Sequence, residues 1–299
     1  MPRYERGDTV VAPPSSERGA WAGAPSAVVT GETVWLAYRL RRPGMARGYA
    51  NVIARSDDGV AFETVAEFAK ERFGAISLER PALVVTPDGR WRLYVSCATR
   101  GTKHWRVDLL EADTPERLAR APARTVLPGD PDSVAVKDPV LVRRDGRWHL
   151  WASCHPLDDR MTTEYATSTD GIEWCWRGTV LRSRAGAWDA RGVRITAVVF
   201  HAGLALALYD GRATAEENWE ERTGVAVATV RGGARAERVV GSFLASGDRP
   251  VAQSPHGTGG LRYVAVVDVG EDRRRLYYEA DCGGGSHDIR TELVTRAIT

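Results

Sequence analysis

Two carboxylates and several arginines stand at comparable ends of short apolar runs in this 299-residue chain. Asp138 heads the run DPVLV after Lys137, and Glu279 closes the run RLYYEA, where a charge at the end of an apolar strand needs a reason. A carboxyl group that protonates a leaving oxygen and a second that acts as base or nucleophile, about 5–10 Å apart, can cleave a glycosidic bond. Asp138 and Glu279 are therefore the candidate catalytic pair. Arg80, Arg194 and Arg262 head three other runs, and Arg39 closes another. Glu79, His155, Tyr209, Asp210 and His287 lie at neighbouring run ends and join the arginines as candidate substrate-binding residues. Converging guanidinium groups repel one another unless carboxylates or an anionic ligand neutralise them. Their fork geometry suits carboxylate, phosphate or sulfate. Internal pairing with Asp138, Glu79 and Glu279 is the other solution, and either leaves a charged polar cavity suited to a polyhydroxylated ligand.

The elements that must position these groups form a repeat. Five segments share one form, beginning APSAVV at Ala24, RPALVV at Arg80, DPVLV at Asp138, RITAVV at Arg194 and RYVAVV at Arg262. Each is a β-rich run, a turn and a second alternating run, which is a hairpin signature. Leu36, Leu93, Leu150, Leu206 and Leu276 mark the second runs at intervals of 57, 57, 56 and 70 residues. The last interval holds an extra loop between Gly241 and Gly260. A third run follows each hairpin, and a fourth follows SDDG after Ser56 and STDG after Ser168. A period of this length built from four antiparallel strands is a propeller blade. The predicted fold is all-β, a five-bladed β-propeller in one domain over residues 1–299. The last repeat has three strands, so DTVVA (Asp8 to Ala12) is expected to supply its outer strand and close the ring, removing an unpaired edge.

KDPVLV together with ATSTDGIEW resembles the five-bladed propellers of glycoside hydrolase families 43, 32 and 130 and their relatives, and the resemblance covers all five repeats. It implies a glycosidase-like activity on a glycoside or sugar-derived substrate, with Asp138 supporting the transition state or tuning a partner acid. The pattern departs from those families where they carry essential acids. Ala24 stands in the first-blade position, Arg80 in the second, and Arg191 or Arg194 near the fourth. Two further readings follow from those losses: a non-hydrolytic propeller that binds a saccharide or metabolite, or a propeller enzyme repurposed for a biosynthetic reaction.

The expected partner is a small carbohydrate or anionic metabolite, and composition argues against other classes. The net charge is +2, which argues against a nucleic-acid binder. No run of about 18 apolar residues exists to span a membrane. No apolar leader stands at the N-terminus, and Cys97, Cys154, Cys175 and Cys282 form no disulfide framework. A reduced, cytoplasmic protein is expected. No cofactor is expected, and no metal either, since Cys97 and Cys154 with His104 or His155 lack close zinc spacing. Asp and Gly in SDDG and STDG read as turn formers. Trp35, Trp91 and Trp148 read as packing between blades, and Trp105, Trp188 and Trp219 as candidates to stack on a sugar.

Overall fold

The computed structural model describes residues 1–130, 132, 134–156, 160–232 and 239–295. The strand β1 (Asp8–Val11) comes first and pairs with the last strand. A first antiparallel sheet follows: β2 (Trp21–Thr30), β3 (Thr33–Arg42), β4 (Arg47–Ser56) and β5 (Glu63–Ala69). The second is β6 (Leu78–Val85), β7 (Trp91–Ala98), β8 (Trp105–Ala112) and β9 (Arg124–Leu127). The third is β10 (Val134–Arg144), β11 (Arg147–Pro156), β12 (Thr162–Ser168) and β13 (Cys175–Leu181). The fourth is β14 (Gly192–His201), β15 (Leu204–Arg212) and β16 (Arg222–Arg231), with the short β17 (Val239–Val240) and β18 (Leu244–Ser246) both along β16. Last come β19 (Leu261–Asp268), β20 (Arg273–Gly283) and β21 (Ser286–Thr295), and β1 lies against β21 with Asp8 opposite Thr291. The molecule is thus nearly all-β, built from antiparallel units that are mostly four-stranded. Helix among the described residues is limited to single turns such as Pro115–Leu118.

Strand alternation explains where the apolar side chains go. On β3, Leu36, Tyr38 and Leu40 face one neighbour and Trp35 and Ala37 face the other. Five buried clusters result, each filled by two sheets. They join the first sheet to the second, the second to the third, the third to the fourth, the fourth to β19–β21, and β19–β21 back to the first. Trp35 and Trp91 meet edge to face at 4.9 Å in one of these seams, as their matching positions suggest. In the SDDG turn, Asp58 Oδ1 accepts hydrogen bonds from the Val60 and Ala61 amides and the Ser56 hydroxyl, which hold its carboxyl down to about 2. Asp170 is held in the same way in the STDG turn.

The inner strand of every sheet carries a bulge near its start: between Gly23 and Ser26, Leu78 and Pro81, Lys137 and Val140, Ile195 and Ala197, and Arg262 and Ala265. An extra residue there bends the strand and re-aims its side chains. Ala24, Asp138 and Tyr263 occupy these bulges with φ of 52°, 54° and 54°, a left-handed conformation uncommon for residues other than glycine. The register also corrects the repeat alignment. Arg262 lies opposite Glu279 as Lys137 lies opposite Ser153 and Gly23 opposite Arg39. Tyr263, not Arg262, is therefore the counterpart of Asp138.

Candidate functional site

Where the inner strands begin, the structure gathers Arg39, Glu79, Asp138, Arg194, Asp210, Arg262 and Glu279 into one ion-pair layer, each at most 6% exposed. Glu279 is bonded on every side. Its Oε2 accepts from the Ala24 amide (2.9 Å) and Arg39 Nη2 (3.0 Å). Its Oε1 accepts from Arg262 Nε and Nη2 (3.0 and 2.7 Å) and lies 2.7 Å from His287 Nδ1. Burial opposes its ionisation, yet Arg262 and Arg39 hold the carboxyl well below the usual range. Asp138 accepts from Arg194 Nη1 at 3.1 Å, and Lys137 Nζ lies 3.4 Å away. Burial again works against the charge, but Lys137, Arg194 and Arg80 bring its pKa down to about 2. Asp210 takes Arg194 Nη2 at 2.7 Å and the Tyr263 amide at 3.1 Å, and burial dominates there, pushing it up to about 6. Arg39, Arg194 and Arg262 are thus answered from within, the internal solution to their repulsion.

Three residues of this layer carried no mark in the sequence. Glu221, between β15 and β16, accepts from Arg262 Nη1 at 2.5 Å and is held ionised at about 2, by Arg262 and Arg194 against burial. Gly23 leaves the space that Glu279 fills, since a Cβ there would collide with the Glu279 carboxylate. Gly23→Ala should therefore cost about 1–3 kcal/mol, read as a lower denaturation midpoint with native-like circular dichroism. Tyr263 stacks its ring under the Arg194 guanidinium at 3.8 Å, and its hydroxyl lies 3.4 Å from Glu79 and 3.3 Å from Asp138.

Above the layer opens a cleft of about 1000 Å³. Glu79 and His155 of the predicted set line it, with Lys137 beside them, and Arg39, Asp138, Arg194, Tyr209, Asp210, Arg262, Glu279 and His287 do not. Glu79 is the layer's carboxylate at the cleft floor, ion-paired with Arg39. Arg80 lines a separate axial cavity among the inner strands. Tyr209 turns away, donating to Asp189 at 2.8 Å and stacking on Trp188. His104 is tied to Thr99 and to the Pro128 carbonyl.

The cleft walls hold groups the repeat pattern did not single out. Arg41 lies between two indoles, its guanidinium carbon 4.4 Å from the Trp21 ring centre and 4.7 Å from that of Trp219. It has no ion-pair partner among the described residues, and its buried Nε makes no hydrogen bond. Burial lowers its pKa to about 10, so it stays charged at neutral pH. Trp219 is 45% exposed with φ of 78°, an unusual conformation for a large residue and the kind that clusters at binding sites. Lys137 Nζ sits 5.1 Å over the Trp105 ring. Glu220 lines the wall with Oε1 3.4 Å from His287 Nε2 and Oε2 without a hydrogen-bond partner. Glu220, Asp281 and His287 bring one ligand atom each within 4.8 Å of one another and could hold a cation. Of the tryptophans expected at the site, Trp105 and Trp219 line this cleft and Trp188 does not. A second cleft of about 1070 Å³ runs along the outer strands past Leu127, Glu164, Trp174 and Trp176, away from the ion-pair layer.

No protein-family model matches the sequence. No curated protein matches it either. Solved structures do match. An α-L-arabinofuranosidase from Lactobacillus brevis aligns with a TM-score of 0.70 at 15% identity, covering 98% of this chain and 94% of that one. The fold is one shared with glycoside hydrolases. A β-1,2-mannobiose phosphorylase from Listeria innocua gives 0.66 at 13% identity over 99% and 92% of the two chains, and a thermostable family-43 glycoside hydrolase gives 0.65 at 13% over 92% and 89%. Shared architecture at this identity fixes the frame and leaves the chemistry to the site.

Proposed function

We propose that this chain is a single-domain five-bladed β-propeller, closed by β1 in the last blade, that binds an anionic saccharide in the mouth cleft and acts on its glycosidic bond. Five inter-sheet cores, including the one joining β19–β21 to the first sheet, support the ring. The observation that carries the ligand class is Arg41, a charged guanidinium held between two indoles on the cleft wall with no carboxylate of its own. Arg18, Arg47, Lys103 and Lys137 add further cations to its lining, and Trp219 and Trp105 offer platforms for a sugar ring.

Asp138 and Glu279, fully buried and held ionised, serve as positioning residues: they fix Arg194, Lys137 and Arg262 and do not give up a proton near neutral pH. The chemistry falls to carboxylates that can touch a ligand. Glu79, ion-paired with Arg39, is suited to act as the negative partner of an oxocarbenium-like transition state, as nucleophile or base. Glu220, a cleft carboxylate whose Oε2 has no hydrogen-bond partner, is the candidate for the second carboxyl group of the pair. Glu79→Gln should then lower turnover by about 100- to 10,000-fold while ligand-induced stabilisation persists. Undiminished turnover in that variant would remove Glu79 from the reaction.

The ligand is found by thermal shift against neutral sugars, uronic acids, sugar phosphates and sulfated sugars, because a ligand bound only to the folded state raises Tm. Stabilisation by anionic sugars, followed by product formation, supports the enzyme. The second reading, a binder without turnover, is favoured by the tight pairing of Glu79 with Arg39, and saturable binding without product would select it.

A further inference from the structure

The axial cavity among the inner strands has a volume of about 90 Å³ and shares no lining residue with the mouth cleft. Its walls are mostly apolar, from Ala82, Val84, Pro139, Val140 and their neighbours, with Ser26 and Thr196 among them. One charged side chain, Arg80, reaches it, and Arg80 is 3% exposed.

Arg80 differs from every other arginine of the ion-pair layer. Arg39, Arg194 and Arg262 each bond two carboxylates. The Arg80 guanidinium makes a single hydrogen bond, from Nε to the Pro25 carbonyl at 3.2 Å. Its Nη1 is buried without a partner. Asp138 accepts from the Arg80 backbone amide instead and is already committed to Arg194 and Lys137. A buried cation with no salt bridge and an unsatisfied donor is strongly unfavourable. A water molecule can accept one of those hydrogen bonds but supplies no ion pair, and Asp138 acts on Arg80 only through space. Ser26 offers a complementary donor: its oxygen accepts from the Leu83 amide at 3.0 Å, which leaves its hydroxyl hydrogen to point elsewhere.

We propose that this cavity is a binding site for a small monovalent inorganic anion, chloride in ordinary salt solutions, paired with the Arg80 guanidinium. The volume admits a halide with accompanying water and excludes a sugar. The anion neutralises the one unmatched cation of the inner strands and so acts as a structural component, independent of what the mouth cleft binds.

Bromide is the probe. In crystals of the full chain soaked in sodium bromide, an anomalous difference peak is expected in this cavity beside the Arg80 guanidinium. In solution, Tm should rise by a few degrees with sodium chloride relative to sodium gluconate at equal ionic strength, and Arg80→Met should abolish that difference. Arg80→Lys, which keeps the charge, should retain part of it. Absence of a bromide peak in the wild-type crystals, or identical chloride and gluconate curves, would overturn the proposal in favour of water alone. The bromide map on the wild-type protein decides the matter even if neither variant folds.

Discussion

Glu279→Gln should lower the stability of this protein by about 3–5 kcal/mol, the cost of removing one member of a buried ion pair. For a chain of this size that is a fall in Tm of roughly 5–8 °C. The size follows from what the carboxylate holds. Arg39 and Arg262, both at most 2% exposed, share it, and the Ala24 amide and His287 depend on it too. Glutamine keeps the volume and loses the charge, leaving Arg262 on Glu221 and Arg39 on Glu79 alone. The pH dependence has a definite sign. The folded-state pKa of Glu279 is depressed below its ordinary 4.5, so its contribution is complete above that value and is lost as pH falls through the folded-state pKa. Asp138 and Glu221, each lowered to about 2, act in the same direction. Asp210 acts oppositely: raised to about 6 from 3.8, it costs stability at neutral pH and recovers it as pH falls from about 6 toward 4. Wild-type stability measured by denaturant between pH 7 and pH 3 should thus fall most steeply below about pH 4.5, and Glu279→Gln should flatten that fall. A variant as stable as wild type at pH 7 would mean that the ion-pair layer is not what holds the inner strands.

Arg41→Met should weaken binding of an anionic sugar by about 30- to 150-fold, equivalent to about 2–3 kcal/mol, while changing Tm of the free protein little. Arg41 makes no hydrogen bond or ion pair among the described residues, so its removal leaves no internal carboxylate unmatched. Methionine retains the apolar contact between Trp21 and Trp219 that the guanidinium plane now makes. A neutral sugar of the same shape should lose much less affinity. Titration calorimetry with a matched pair, a uronic acid and its neutral parent, separates the two effects. Equal loss for both sugars would assign Arg41 to shaping the cleft rather than to reading charge.

The sequence by itself determined the β architecture. The spacing of Leu36, Leu93, Leu150 and Leu206, with Gly- and Asp-bearing turns between alternating runs, is local information, and local pattern dictates strands and hairpins. The pairing of β1 with β21 was also legible, because a three-stranded last repeat leaves an edge to cover. That Glu79, Asp138, Glu279 and the arginines converge followed from the same repeat.

Only the tertiary structure decided which of them line an open cleft. A one-residue bulge shifts a side chain to another direction, and bulges leave little trace in an apolar run, so Tyr263 and Arg262 exchanged places relative to the repeat alignment. Whether an arginine faces a carboxylate or open space depends on partners supplied by other strands. Glu221 and the backbone gap at Gly23 settle that for Arg262 and Glu279, and neither has periodicity to announce it. Arg41, Trp219 and Glu220 lie at a strand end and in the irregular stretch between β15 and β16. Such segments are placed by the sheets they connect rather than by their own pattern. The ion pairs therefore form the frame, and the cleft above them is the site we propose.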